Sequence, residues 1–170
     1  MDRTGDLEML FSGFDHLAVV VKDLGKAIDI MSAIGIYPEP ESSKRPRETT
    51  MHGQVVDFTG KVKITKMYMG QIGLEIFQPL EGDTTTPYGE FLNKTGGGIH
   101  HYCFIVKDLE KAVDAMVKKG ARVISTCREL SRSTPHAYYF EIGALPGIFI
   151  ELLPEDHPTF PPKDSPEALG

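Results

Sequence analysis

The sequence predicts an α+β fold: two tandem βαβββ modules, related by a pseudo-twofold axis, whose strands form one curved mixed sheet around a cleft. The first observation behind this is an internal repeat. Residues 14–35, FDHLAVVVKDLGKAIDIMSAIG, lie over residues 99–120, IHHYCFIVKDLEKAVDAMVKKG, at one constant offset and without a gap. His16 falls on His101, Val21-Lys22-Asp23-Leu24 on Val106-Lys107-Asp108-Leu109, Ala27 on Ala112, Asp29 on Asp114, Met31 on Met116 and Gly35 on Gly120. The second is an echo further on, where Leu74-Glu75-Ile76 in GLEIFQPL corresponds to Ile150-Glu151-Leu152 in GIFIELLP. The third is alternation of faces in KVKITKMYM (61–69), ARVIST (121–126) and HAYYFEIG (136–143), which reads as strands between each helix and each final glutamate strand.

Taken in order, residues 1–13 are an N-terminal extension, 14–80 the first module, 81–98 a linker, 99–154 the second module and 155–170 a Pro-rich tail. Each module opens with a β-branched run, Leu17 to Val21 or Cys103 to Val106. An aspartate follows, Asp23 or Asp108, whose carboxylate can accept the free amide hydrogens of a helix's first turn. Leu24, Ala27, Ile28 and Met31, like Leu109, Ala112, Val113 and Met116, recur on one helical face. Gly35 and Gly120 then end the helices in the left-handed conformation. The segment from Pro38 to Gly60 is rich in Pro, Gly and charge and reads as a loop, as does the linker from Pro79 to Gly98. Within that linker Phe91 and Leu92 predict a short helix before Gly96-Gly97-Gly98 breaks it.

A chain of 170 residues with 41% hydrophobic and 25% charged side chains has the composition of a globular protein with a real core, which sets disorder aside. Its net charge of -6 argues against nucleic acid as a partner. Cys103 and Cys127 have no C-x-x-C spacing and are expected to be free thiols. The opening MDRTGDLEMLF suits neither a secretory nor a transit peptide, and no apolar run reaches membrane length, so a cytoplasmic protein with no membrane partner is expected.

Equivalent positions in two modules paired about a twofold axis must converge. His16, Glu75, His101 and Glu151 hold such positions, and two imidazoles with two carboxylates suit one divalent ion: Co, Zn, Ni, Mn or Fe(II). A glutamate flanked by Leu74, Ile76 and Phe77, or by Ile150, Leu152 and Leu153, needs a partner to offset its desolvation. Of the adjacent histidines the repeat selects His101, which matches His16, while strand alternation directs His100 to the opposite face. Cys103, on the His101 face, reads as a small core thiol, and His52 and His136 are given no role.

At these motifs the sequence resembles the vicinal oxygen chelate (glyoxalase/bleomycin resistance/dioxygenase) superfamily over roughly residues 14–154. Within it the likeness is greatest to the methylmalonyl-CoA epimerases, carried by FDHLAVVVKDLGKAI (14–28), LEIFQPLEG (74–82), FLNKTGGGIHHYCFIVKDL (91–109) and GIFIEL (147–152). The glycine-rich lead-in to the paired histidines separates them from glyoxalase I proteins. The resemblance implies the same four metal ligands, His16, Glu75, His101 and Glu151, an acyl-CoA thioester as the small-molecule substrate, and a homodimer. It also implies removal and return of the proton α to a thioester. Glu151 is the candidate base and Glu75 the runner-up. The strand before Glu75 carries Lys63 and Lys66 and no carboxylate, so the partner base that some epimerases place there is unassigned.

Two other readings stay open: a glyoxalase I-like lyase acting on a glutathione hemithioacetal, and a non-catalytic small-molecule-binding protein of the resistance type. Gly96, Gly97 and Gly98 either terminate the linker helix or, with Lys94, approach a CoA phosphate, and Lys44, Arg45 and Arg47 are either solvated surface or contacts for the nucleotide end.

Overall fold

A computed structural model describes residues 10–39, 47–70 and 72–157. The elements run β1 (Phe11–Val20), α1 (Leu24–Ser32), β2 (Arg47–Met51), β3 (Gln54–Val56), β4 (Val62–Met69), β5 (Ile72–Pro79), α2 (Pro87–Thr95), β6 (Gly98–Val106), α3 (Leu109–Lys118), β7 (Arg122–Glu129), β8 (Ala137–Glu141) and β9 (Phe149–Pro154). All nine strands join one mixed sheet in the order β3-β2-β7-β8-β9-β6-β1-β5-β4. β1 runs parallel to β5 and β6 parallel to β9, and the other pairings are antiparallel.

The helices form where the sequence expects them. Asp23 and Asp108 accept from the amides of Lys26 and Lys111, each at 3.0 Å, and Gly35 and Gly120 take left-handed φ of 86° and 91° just past the helix ends. α1 lays Leu24, Ala27, Ile28 and Met31 on Met67, Leu74 and Ile76, while α3 lays Leu109, Val113 and Met116 near Phe140, Ile150 and Leu152. Both helices therefore cover one face of the sheet, at about 1.5–3 kcal/mol for each large apolar side chain fully buried. The other face carries Ala18, Phe77, Cys103, Ile105, Ala137 and Leu153.

That second face is the inside of a curl. Glu39 donates to the Lys66 carbonyl beyond the β4 edge, whereas Arg47 pairs with Glu129 of β7 near the opposite edge. Eight chain steps reach about 28 Å. On a flat sheet the same two places would stand about 38 Å apart, so the edges must bend toward each other.

The segment read as a loop from Pro38 to Gly60 contains β2 and β3 instead. Their hairpin turns on His52 and Gly53, both at positive φ (50° and 79°), the two-residue turn whose twist matches its strands. A histidine at the first position is an uncommon signal for that turn, which hides it from a reading of pattern alone. β2 joins the edge of β7, in the other half. At the place in the first half that β7 fills in the second, among the described residues the Pro38–Met67 bridge and the Glu39 amide pair with β4, and Pro38 itself has no N–H to give to a ladder. Lys44 and Arg45 lie outside the described residues, and Arg47 is exposed on β2.

α2 plugs one end of the curl with Tyr88 and Phe91. Thr86 caps it through the Gly89 amide, and Gly96 closes it in a left-handed C-cap. Gly97, at φ +109°, passes so near β1 that a Cβ would stand 2.8 Å from the Val20 carbonyl oxygen. The three glycines thus end the helix and admit the chain to β6.

Gly97→Ala is expected to lower the unfolding free energy by about 2 kcal/mol, read as a shifted urea midpoint at unchanged slope. A second expectation concerns His136, buried on the approach to β8, whose Nδ1 accepts from the Glu129 amide at 3.1 Å. Burial foremost, then His157 and Arg47, brings its pKa from 6.5 down to about 4. Between those values the unfolded chain binds more protons than the fold. The stability contributed by the neutral ring is therefore complete above 6.5 and is lost as pH falls toward about 4. Urea midpoints across that window should show His136→Asn, which keeps an acceptor, with the shallower decline.

Candidate metal centre

The geometry of the site begins with the β1–β6 ladder. Leu17 pairs with Tyr102, its equivalent in the repeat, while His16 pairs with Cys103 and Ala18 with His101, so the two flanking pairs exchange about a pseudo-twofold axis that passes through the Leu17–Tyr102 pair. The flanking parallel strands keep equal registers: His16 aligns with Gly73 and His101 with Phe149, which sets Glu75 and Glu151 each two residues further along. Alternation then points all four side chains into the curl. At Gly73 a Cβ would stand 3.0 Å from the Cβ of His16, so the missing side chain lets β5 lie close beside that ring.

Nε2 of His16 and Nε2 of His101 are 3.2 Å apart. Glu151 Oε2 lies 3.0 Å from the His101 nitrogen and 3.2 Å from the His16 nitrogen, and Glu75 Oε2 is 3.7 Å from His16 Nε2. His101 is 0%, Glu151 4% and His16 5% exposed. Despite its two short contacts, Glu151 Oε2 has no aligned hydrogen bond. Donor atoms sharing one ion at about 2.1 Å stand about 3.0–3.4 Å from one another, so the spacing and chemistry of this set fit a divalent cation.

Each carboxylate has a different outer partner. Glu75 Oε1 pairs with the Lys66 ammonium of β4. Burial opposes its ionisation, but His16 and then Lys66 outweigh that and lower its pKa. The Tyr139 phenol interacts with Glu151 and with Tyr88. Burial again opposes ionisation, but the His101 and His16 rings hold Glu151 well below the usual carboxylate range. Burial and then Glu151 push both phenols well above 10, so they remain donors. His16 is raised well above 6.5, since Glu75 first, then Cys103 and Asp15, outweigh the burial that works against its charge. Burial raises the Cys103 thiol, with Glu151 adding, and both cysteines are free and buried. Asp15 meets His16 at Nδ1, away from the converging atoms, and Cys103 Sγ lies within 4.8 Å of ligand-type atoms of both.

Sequence reasoning placed His100 on the opposite face, and the structure corrects this. Between the Ala18–His101 and Val19–Ile99 pairs β6 advances by two residues and β1 by one, a bulge at His100. The extra residue escapes alternation, and its Nδ1 lies 2.9 Å from His101 Nδ1. His100 is 2% exposed, and burial foremost, then His101, keeps its pKa well below 6.5. Between the Phe14–Phe104 and His16–Cys103 pairs the same step occurs on β1, at Asp15, whose carboxylate is 2.8 Å from His16 Nδ1. Asp15, Lys66, Gly73, Tyr88, His100 and Tyr139 were all missed as site residues. Only Asp15 and His100 had a signal, in standing one repeat apart beside the two ligand candidates. Lys94 and His52 are exposed, and His136 is buried outside the converging set.

In the metal-free protein Lys66→Met takes the ammonium away from Glu75 and leaves His16 as its remaining positive partner. An expected loss of about 1–2 kcal/mol, less than for a fully buried pair because Lys66 is 40% exposed, is read by urea denaturation. Adding Glu75→Gln should restore most of it, and the double-mutant cycle measures the coupling.

Comparison with known proteins agrees with this architecture. The chain is 28% identical to the mitochondrial methylmalonyl-CoA epimerase of Mus musculus over 145 residues, covering 81% of this chain and 70% of that one. It is 30% identical to the ethylmalonyl-CoA/methylmalonyl-CoA epimerase of Cereibacter sphaeroides over 115 residues, covering 66% and 74%. The crystal structure of methylmalonyl-CoA epimerase from Mycobacterium tuberculosis shares the fold with a TM-score of 0.62 at 20% identity, over 91% of this chain and 95% of that one. Among the described residues no helix is long and apolar enough to cross a membrane. Residues 15–140 match the family model described as Glyoxalase/Bleomycin resistance protein/Dioxygenase superfamily, and the chain belongs to that superfamily.

Proposed function

We propose that this chain is a metal-dependent epimerase of a 2-substituted malonyl-CoA thioester. The observation that carries the reading is the convergence on His16 Nε2 of the His101 Nε2 at 3.2 Å, a Glu151 oxygen at 3.2 Å and a Glu75 oxygen at 3.7 Å, on this superfamily's fold. The choice of substrate class is supported by relatives named as methylmalonyl-CoA and ethylmalonyl-CoA epimerases. His16, Glu75, His101 and Glu151 would hold the ion. A divalent cation there supplies Lewis acidity, drawing electron density from the carboxylate and thioester oxygens of the substrate and so acidifying the carbon between them.

The rest falls to the chain. Glu151, kept ionised by the His101 and His16 rings, takes the proton from the α-carbon of the substrate. The electron pair of that C–H bond passes into the thioester as an enolate. Return of a proton to the opposite face inverts the centre. Glu75 stands across the pseudo-axis and is kept ionised by His16 and Lys66, which makes it the second candidate for proton transfer. Tyr139 orients Glu151 through its hydroxyl. α2 closes one end of the curl and limits water at the reacting carbon. The same reading takes the protein as a cytoplasmic homodimer, with strands β3 and β4 at the edges of the sheet.

The test is exchange of the α-proton of 2-methylmalonyl-CoA in deuterated water, followed by mass spectrometry. Deuterium incorporation that is lost on metal chelation, and lost by roughly 10²–10⁴-fold in Glu151→Gln, is the expected result. Absence of exchange with any malonyl-CoA, or turnover of the methylglyoxal-glutathione adduct in its place, overturns it.

A further inference from the structure

Two of the three bulges of the central ladder are one repeat apart, and each of these sets the residue before a ligand histidine against that histidine's Nδ1: Asp15 on His16 at 2.8 Å, His100 on His101 at 2.9 Å. A neutral imidazole carries its proton on one nitrogen only. In each pair the nitrogen facing the bulge residue is Nδ1 and the nitrogen facing the converging site is Nε2. If Nδ1 holds the proton and donates it outward, Nε2 presents a bare lone pair. We propose that Asp15 and His100 are positioning residues, set in place by the paired bulges, which hold the Nδ1 protons of His16 and His101 so that Nε2 is the nitrogen each ring opens to a cation. This rests on the metal-binding part of the proposed function.

The surroundings of His100 assign its own proton. To accept from His101, its Nδ1 must be bare, so its proton sits on Nε2. That atom is buried and has no hydrogen-bond partner. Rings occupy the space around it: Phe149 at 4.8 Å, Tyr88 at 4.9 Å and Phe91 at 5.0 Å between centroids. An unpaired N–H among aromatic faces is a tolerable end for the chain, since such faces accept it weakly. The opposite assignment sends a proton down the chain to His101 Nε2, where it occupies the place of the metal. The tautomer of His100 therefore decides whether His101 is a ligand. Asp15 leaves no such choice, because an ionised carboxylate only accepts. The two histidines are thus held by unequal means, one by a charge and one by a neutral ring whose other end is dry.

The experiment is titration of the metal-free protein with Co(II), read by calorimetry and by the visible absorption of the bound ion, on the wild type, His100→Phe and His100→Asn. Phenylalanine fills the aromatic pocket but cannot accept, whereas the amide oxygen of asparagine takes the place of Nδ1. Affinity is expected to fall roughly 10–100-fold in His100→Phe, with a changed absorption spectrum, and to stay within roughly threefold in His100→Asn. Asp15→Leu is expected to behave like His100→Phe. If folded His100→Phe binds Co(II) as the wild type does, the inference is overturned while the metal reading stands. A wild type that binds no Co(II) overturns both. Two-bond ¹⁵N–¹H correlation of the histidine rings in the wild type gives an answer independent of any variant's folding: protonated Nδ1 and bare Nε2 on His101 are expected, and the reverse overturns the inference.

Discussion

The antiparallel pairing of β1 with β6 is the interaction on which the rest depends. Because Leu17 faces Tyr102 across it, the pseudo-twofold axis has only one place to run, and every equivalent residue is then positioned by the sheet. His16 and His101 come from the ladder itself. Glu75 and Glu151 come from the two strands that lie parallel to it, at equal registers. A slip of one residue on either strand would turn its whole inward set outward. The helices hold the registers, since α1 and α3 require Leu74, Ile76, Ile150 and Leu152 on the opposite face from the glutamates.

The parts legible in the sequence are those that repeat locally. The helices, their aspartate caps and the glutamate-bearing strands are written in short patterns, and duplication marks His16 and His101 as a pair. What was not legible depends on pairing between distant segments. β2 joins the far half of the sheet, at the β7 edge that the curl brings within reach. The bulges at Asp15 and His100 exist only in the relation of one strand to another, and a rule of alternation applied to one strand places His100 on the wrong face. Lys66 was visible as a lysine on a strand, but its meeting with Glu75 follows from the β4–β5 register, which pairs the two directly.

Burying two carboxylates side by side costs several kcal/mol for each, and the surroundings of the site answer that cost by different means on its two sides. Toward β4 the compensation is a cation, Lys66, which is more exposed than Glu75 and stays partly in water. Toward β8 it is a phenol, Tyr139, with Tyr88 behind it. The first arrangement depends on charge and the second on hydrogen bonding in a drier place. Both leave the inward oxygens uncommitted to the chain, as the unaligned contacts of Glu151 Oε2 illustrate.

A repeat would be expected to yield two equivalent halves, and in the strand registers that carry the two histidines and two glutamates it does. Substitution in the surrounding layer has made them unequal. Position for position, Asp15 stands where His100 stands, and Gly73 stands where Phe149 stands. The glycine brings β5 close to His16 and leaves that side slim, while Phe149 closes an aromatic pocket around His100. A symmetric site would treat both faces of a bound carbon alike. With Glu151 held in the dry half and Glu75 tethered to a partly solvated lysine, the two carboxylates differ in access to water and in how freely each can exchange a proton with it. The twofold axis gathers the groups, and the departures from it are what permit them different tasks.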